Sequence, residues 1–205
     1  MSFLAFLFAA VVLAVTPGPG IAYVVARTVA GGRAEGLASC LGTGIGGMLH
    51  VLAAALGLSL IVAQSALAFN VVKYVGAAYL IYLGIRLLLR KDQAFAVQPV
   101  ASQGARRALF EGIVVEALNV KTALFFLAFL PQFITPGEPV VPQLVLLGSI
   151  CVALNTMVDV VAVFAADRLL ASDAARSARA RLLTRASGLT MLGLGAYLAL
   201  ARRET

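Results

Sequence analysis

Six stretches of about twenty apolar residues, separated by short clusters that hold most of the charge, leave this chain few ways to fold. A helix needs roughly 20 residues to cross a hydrocarbon layer about 30 Å thick. The 205 residues therefore allow six or seven crossings and no separate soluble domain. Composition agrees, with 61% hydrophobic and 12% charged residues, against about 25% charged in a soluble domain. The segments lie near Phe3 to Val25, Ser39 to Ala63, Leu67 to Leu89, Ala108 to Phe133, Pro142 to Ala166 and Thr184 to Ala201. In lipid each must be helical, because an open backbone would leave amides and carbonyls unpaired. The expected fold is an all-α integral membrane protein of six transmembrane helices, with residues 1–205 as one transmembrane domain. The first twenty residues lack a basic leader and a small-residue cleavage site, and are expected to form the first span.

A net charge of +7 would suggest a nucleic-acid partner if the basic residues formed a stripe, but they fall between apolar runs. The partners this implies are membrane lipid and small molecules, with no nucleic acid. Arg86, Arg90, Lys91, Arg106 and Arg107 surround the connection after segment three; Arg168, Arg176, Arg179, Arg181 and Arg185 surround the one after segment five. Both are expected in the cytoplasm, as is the turn after segment one with Arg27, Arg33 and Glu35. Both termini then point outward. Arg202 and Arg203 would suit a five-span version with an internal C-terminus better.

Each half of the chain, about 1–91 and about 106–205, has three segments, and the first of each carries a polar, helix-disturbing cluster. The third segments share a theme, Gly76-Ala77-Ala78-Tyr79-Leu80 in one and Gly195-Ala196-Tyr197-Leu198 in the other. A duplicated half with an odd number of spans inserts upside down, so the plan expected is two inverted three-helix repeats with helices 1 and 4 broken.

In the first cluster, Thr16-Pro17-Gly18-Pro19-Gly20, the prolines have no N–H to give and leave the carbonyls of Leu13 and Val15 without their usual partners. Thr16 is a good N-cap and Pro17 suits a first helical position, so a second half-helix is expected to restart there. Its free N–H groups and partial positive charge suit a carboxylate, while the freed carbonyls can accept from an ammonium group. One broken helix thus offers both partners that an amino-acid zwitterion needs; the alternative is a kink that only shapes the bundle. The fourth segment places Glu111, Glu116, Asn119 and Lys121 in an apolar run, where ionisable groups face a bundle interior or a wet cavity. Glu116 and Lys121 are five apart, so either the helix unwinds at Asn119 and lets them meet or each has a partner elsewhere. Asp159 in segment five is the expected partner of Lys121, and a purely structural ion pair is the alternative.

With TPGPG in the first span, KYVGAAYLIYLGIRLL in the third and NVKTALFFLAFLPQF in the fourth, the chain resembles the lysine exporter and threonine/homoserine exporter family (LysE/RhtB) over essentially its whole length. The resemblance implies six spans in the bacterial inner membrane and export of amino acids or related compounds driven by the proton-motive force. It places Thr16, Pro17, Gly18, Pro19, Asn119, Lys121 and Asp159 around the translocation path. Two residues depart from the family pattern. Val120 stands where asparagine-proline-lysine is usual and restores a backbone donor, so the second break should be softer than the first. Glu116 is an acid where relatives are more often neutral; it belongs with the path residues, and with Asp159 it is a candidate for proton coupling.

The remaining features point to other classes only weakly. His50, the one histidine, is expected to be neutral and packed against a neighbouring helix rather than a relay. Gly42 and Gly46, followed by Ala53 and Gly57, form small-residue faces that allow close contact inside one chain or across a homodimer, with the internal contact favoured. Cys40 and Cys151 lie outside both breaks, which disfavours a thiol-disulfide carrier. No metal site, cofactor or nucleophile-base pair is expected, so the chain should not be an enzyme. Export of a metal cation or a lactone remains the alternative cargo.

Overall fold

The computed structural model describes residues 3–58, 66–89 and 101–169, with helical positions between 185 and 200 at Arg185, Leu189, Leu192, Gly193, Gly195, Ala196, Ala199 and Leu200. Every regular element among them is helical. Most of segment six lies outside the described residues, as do Arg90, Lys91, Arg176, Arg179, Arg181, Arg202 and Arg203.

Helix α1, Phe3–Val15, has 13 residues and so extends about 20 Å, too short to cross a bilayer alone. The chain breaks over Thr16 to Gly18 and resumes as α2, Pro19–Ala53. Its 35 residues are two arms rather than one rod, because Gly32 sits at φ 73°, ψ −171°, a conformation that favours glycine. Contacts across the turn step outward in antiparallel order: Thr28 meets Gly36, Val24 packs with Cys40, and Gly20 faces Thr43. Arm 19–31 therefore runs back along arm 33–53. A π-helical turn, Ala54–Leu58, continues the second arm.

Helix α3 is Ala66–Leu89. The fourth segment is α4, Ala105–Ala117, then α5, Val120–Leu124, which runs on through a π turn, Phe125–Phe129, and a 3₁₀ turn, Leu130–Phe133. The parts before and after Asn119 are bent by 43°. Helix α6, Val140–Leu169, is long and apolar enough to cross unbroken.

Glycine sets the closest packing. A Cβ on Gly42 would strike the carbonyl oxygen of Leu109, and one on Gly46 would lie 2.7 Å from the carbonyl oxygen of Ile113, so the second arm of α2 lies backbone to backbone on α4. The small-residue contact is thus internal for Gly42 and Gly46, whereas Gly57 faces open space. An aromatic cluster of Phe6, Phe125, Phe126 and Phe129 joins α1 to the segment after Asn119. Leu4, Phe8, Leu41, Leu146, Met157 and Val161 point outward, as a lipid-facing surface requires.

Candidate functional site

The two breaks are built by different means. At the first, both prolines lack an N–H, but the cap differs from expectation: Gly18 is the extended N-cap and Pro19 the first helical residue. Thr16 turns its hydroxyl back to donate to the Val12 carbonyl at 2.6 Å, so it closes α1 and does not open α2. With two candidate prolines, the later one takes the favoured position and leaves Pro17 in the link. Beyond it, the amides of Gly20 and Ile21 find no acceptor among the described residues.

At the second break Asn119 supplies what proline does not. Its Oδ1 accepts from the Lys121 amide at 3.1 Å, capping α5, while its Nδ2 donates to Glu116 Oε2 at 3.0 Å. Glu116 Oε1 accepts from the Thr122 hydroxyl at 2.6 Å. The helix is interrupted at Leu118 and Asn119, over two residues against three at the first break. The carboxylate of Glu116 presses close to Gly20, where an added Cβ would lie 2.6 Å from Oε2. His50 Nε2 lies 2.8 Å from the Glu116 carbonyl oxygen, which requires the proton on that nitrogen.

Lys121 joins the two breaks. Its Nζ donates to the carbonyl of Thr16 at 2.9 Å and lies 3.4 Å from that of Leu13. The ammonium expected at the freed carbonyls is the protein's own, held on Thr16 and Leu13 rather than on Val15. Glu116 and Lys121 thus have separate partners, and among the described residues no ion pair joins Lys121 to Asp159. Asp159 Oδ2 instead accepts from the Thr43 hydroxyl at 3.0 Å, and among the described residues no hydrogen bond reaches Oδ1. That hydroxyl is also 3.0 Å from the Cys40 carbonyl, so its single proton serves one acceptor at a time.

These groups surround one open-sided cavity of about 450 Å³, including its open part. Thr16, Glu116, Asn119, Lys121 and Asp159 all line it; Pro17, Gly18 and Pro19 form the link behind, with Gly18 kept small by the Lys121 ammonium 2.9 Å from where its Cβ would be. Sequence reasoning missed Thr43, Thr122, Asn155 and Thr156, which also face the cavity. The spacing of Asn155, Thr156 and Asp159 on one helix face was the available signal.

Beyond the apolar contact of Val24, Cys40 and Val163 lies a second polar cluster. Glu35 Oε1 accepts from the Ser102 hydroxyl at 2.5 Å and from the amides of Gln103 and Gly104 at 3.0 and 2.7 Å. Arg27 donates to Glu111 Oε2 at 2.7 Å and to the Ala101 carbonyl at 3.2 Å, and approaches Glu35 Oε2 at 4.0 Å. Arg107 and Tyr23 complete the shell of Glu111. This latch ties the Gly32 turn to the segment leading into α4. Glu111, read above with the span's buried charges, belongs to it.

A family model described as LysE type translocator matches residues 11–202. The homoserine/homoserine lactone efflux protein of Salmonella typhimurium is 31% identical over 199 residues, covering 97% of this chain and 96% of that protein. An uncharacterized membrane protein of Vibrio cholerae is 34% identical over 157 residues, 76% of each chain. The uncharacterized membrane protein YrhP of Bacillus subtilis is 32% identical over 166 residues, 76% of this chain and 79% of its own. No solved structure matches.

Proposed function

The chain belongs to the LysE type translocator family, a membrane transporter and not an enzyme, and from that premise we propose that it exports amino acids or closely related small metabolites across the bacterial inner membrane, driven by the proton gradient. One observation carries the reading: both interrupted helices meet at a single cavity that holds a cation, a carboxylate with a free oxygen and unpaired main-chain amides. A substrate carboxylate would take the Gly20 and Ile21 amides beside Lys121, and a substrate ammonium would take Asp159 Oδ1. Thr16, Pro17, Gly18, Pro19 and Asn119 hold the breaks open around it.

Of the two acids, Asp159 is the better proton carrier. Both Glu116 oxygens are engaged, so Glu116 secures the second break, whereas Asp159 keeps one oxygen open and shares a hydroxyl that can turn away to Cys40. Protonating Asp159 would release an ammonium, which couples proton entry to substrate exit.

In this reading the chain is one transmembrane domain of two inverted repeats, about 1–91 and 106–205, with the turn at Gly32 and the segment before α4 in the cytoplasm. Gly195 supports the repeat: its face lies against Ala77 and Ile81 of α3, joining the two shared third-segment themes. A lactone cargo would offer the two free amides and Lys121 a neutral carbonyl in place of a carboxylate, a weaker partner, and among the described residues no cluster of three metal-ligating side chains favours a metal ion.

The test is flux of labelled amino acids in proteoliposomes under an imposed pH gradient. Gradient-dependent flux that Asp159→Asn lowers on the order of a hundredfold is expected, since a charge-assisted hydrogen bond contributes about 1.5–3 kcal/mol. No flux of any amino acid or lactone overturns the reading.

A further inference from the structure

Gly42, Gly46 and His50, each four residues from the last, form one stripe along the second arm of α2 where it lies on α4. Gly42 and Gly46 set bare backbone against the carbonyls of Leu109 and Ile113. One turn further on, His50 reaches the Glu116 carbonyl, where α4 ends. The stripe thus finishes on a side chain that donates a hydrogen bond, at the point where a helical carbonyl loses its usual partner.

That usual partner is the amide four residues later, which belongs to Val120. The Val120 amide has no acceptor among the described residues. The Glu116 carbonyl instead accepts from the Asn119 amide at 2.9 Å and from His50 Nε2 at 2.8 Å. A carbonyl oxygen has two lone pairs, so these two donors fill it. Without His50, one bond from the Val120 amide to this oxygen would rejoin α4 and α5 as a single helix. The imidazole is well held for its task, with its ring against that of Phe126, centroids 6.2 Å apart, and its arm fixed on α4 by the two glycines.

We propose that His50 is a positioning residue that keeps the second break open, by occupying the acceptor that the Val120 amide needs to close it. Asn119 and His50 then divide the work: Asn119 caps the helix that follows the break and His50 the one that precedes it. Lys121 comes directly after Val120. Closing the 43° bend would therefore change how its ammonium is set against the Gly20 and Ile21 amides, its partners in holding a substrate carboxylate. That link to transport rests on the amino-acid reading above, whereas the effect on the backbone does not. A proline at position 120 would keep the break open by the opposite means, removing the donor in place of filling the acceptor. Either device suffices alone, so one should suppress the loss of the other.

The test compares the unaltered protein with His50→Leu, His50→Gln, Val120→Pro and the double variant of His50→Leu with Val120→Pro. Amide hydrogen exchange over residues 118–122 in detergent should slow in His50→Leu, because the Val120 amide gains the freed acceptor. It should stay as it is in His50→Gln, whose side-chain amide still donates. A variant that was merely destabilised would exchange faster, so the sign of the change separates positioning from folding. In proteoliposomes, His50→Leu should raise the KM for amino-acid flux about fivefold, one neutral hydrogen bond's worth, and keep the maximal rate, since bound substrate selects the broken form. Val120→Pro alone should leave KM near its original value, and in the double variant it should bring KM back. Exchange that is unchanged or faster in His50→Leu, or a KM defect that Val120→Pro does not relieve, overturns the proposal. Absence of flux for every amino acid would sink the export reading, while the exchange result would still decide this one.

Discussion

The cavity and the latch both bury ionisable side chains, and they treat them in opposite ways. At the latch, Glu35 Oε1 takes three hydrogen bonds, Arg27 takes two acceptors and Glu111 is surrounded by donors; among the described residues the fully buried polar side-chain atoms without a hydrogen bond are Glu35 Oε2, which Arg27 still pairs at 4.0 Å, and Gln103 Oε1. In the cavity, Asp159 Oδ1, the side chains of Asn155 and Thr156 and two backbone amides have no hydrogen-bond partner among the described residues and border the open-sided space. A paired buried charge holds helices in place, whereas an unpaired group beside a void has work left to do. Burial alone would not separate them: Glu35 is 3% exposed and Asp159 7%.

The contrast can be broken from either side. The largest effect should come from Asp159→Asn, which removes flux but leaves the melting temperature in detergent level or slightly raised, because an incompletely paired charge is lost. A fall in melting temperature matching that of latch variants would erase the distinction. Arg27→Ala should show the converse, costing about 3 kcal/mol of unfolding free energy because Glu111 and the Ala101 carbonyl are left behind, with substrate affinity in the folded fraction little altered. Denaturation monitored together with ligand binding separates the two quantities. Asn119→Ala should fall between them: about 1 kcal/mol for the lost cap, accompanied by weaker binding as the second break closes up. Smallest is Val120→Pro. Val120 is the first helical residue of α5, its amide has no acceptor among the described residues, and Asn119 is already extended at φ −75°, ψ 98°. The substitution should leave stability unchanged or raise it by about 0.5 kcal/mol, and a clear loss would mean that Val120 does something its surroundings do not reveal.

Local chemistry was legible in the residues, and long-range pairing was not. Proline without a donor predicts the first break, and polar residues inside an apolar run predict the second, because both signals act within one turn of backbone. The identity of the first cap was lost because Thr16 and Gly18 both precede a proline, and only the folded chain shows Thr16 bonding backward to Val12. The second break is shorter, two residues against three, and what holds it was not legible either: Asn119 caps with its side chain, and Glu116 and Thr122 brace it. Lys121 meets Thr16 from 105 positions away and Arg27 meets Glu111 from 84. Nothing in spacing along the chain reports such encounters. Asp159 was visible as a lone charge, while Asn155 and Thr156 passed as ordinary interruptions of an apolar helix until their missing partners set them apart.

The grip of Lys121 on the Thr16 carbonyl fastens the corner at Asn119 to the corner at Pro17. The aromatic cluster then welds α1 to the stretch that follows Asn119, while bare glycine backbones weld the long arm of α2 to α4. The closely packed pieces therefore each join an element from one half of the chain to an element from the other. A motion that exposed the cavity alternately to either side would slide one such mixed pair along the other, with the ammonium as the pin that must be drawn or carried along.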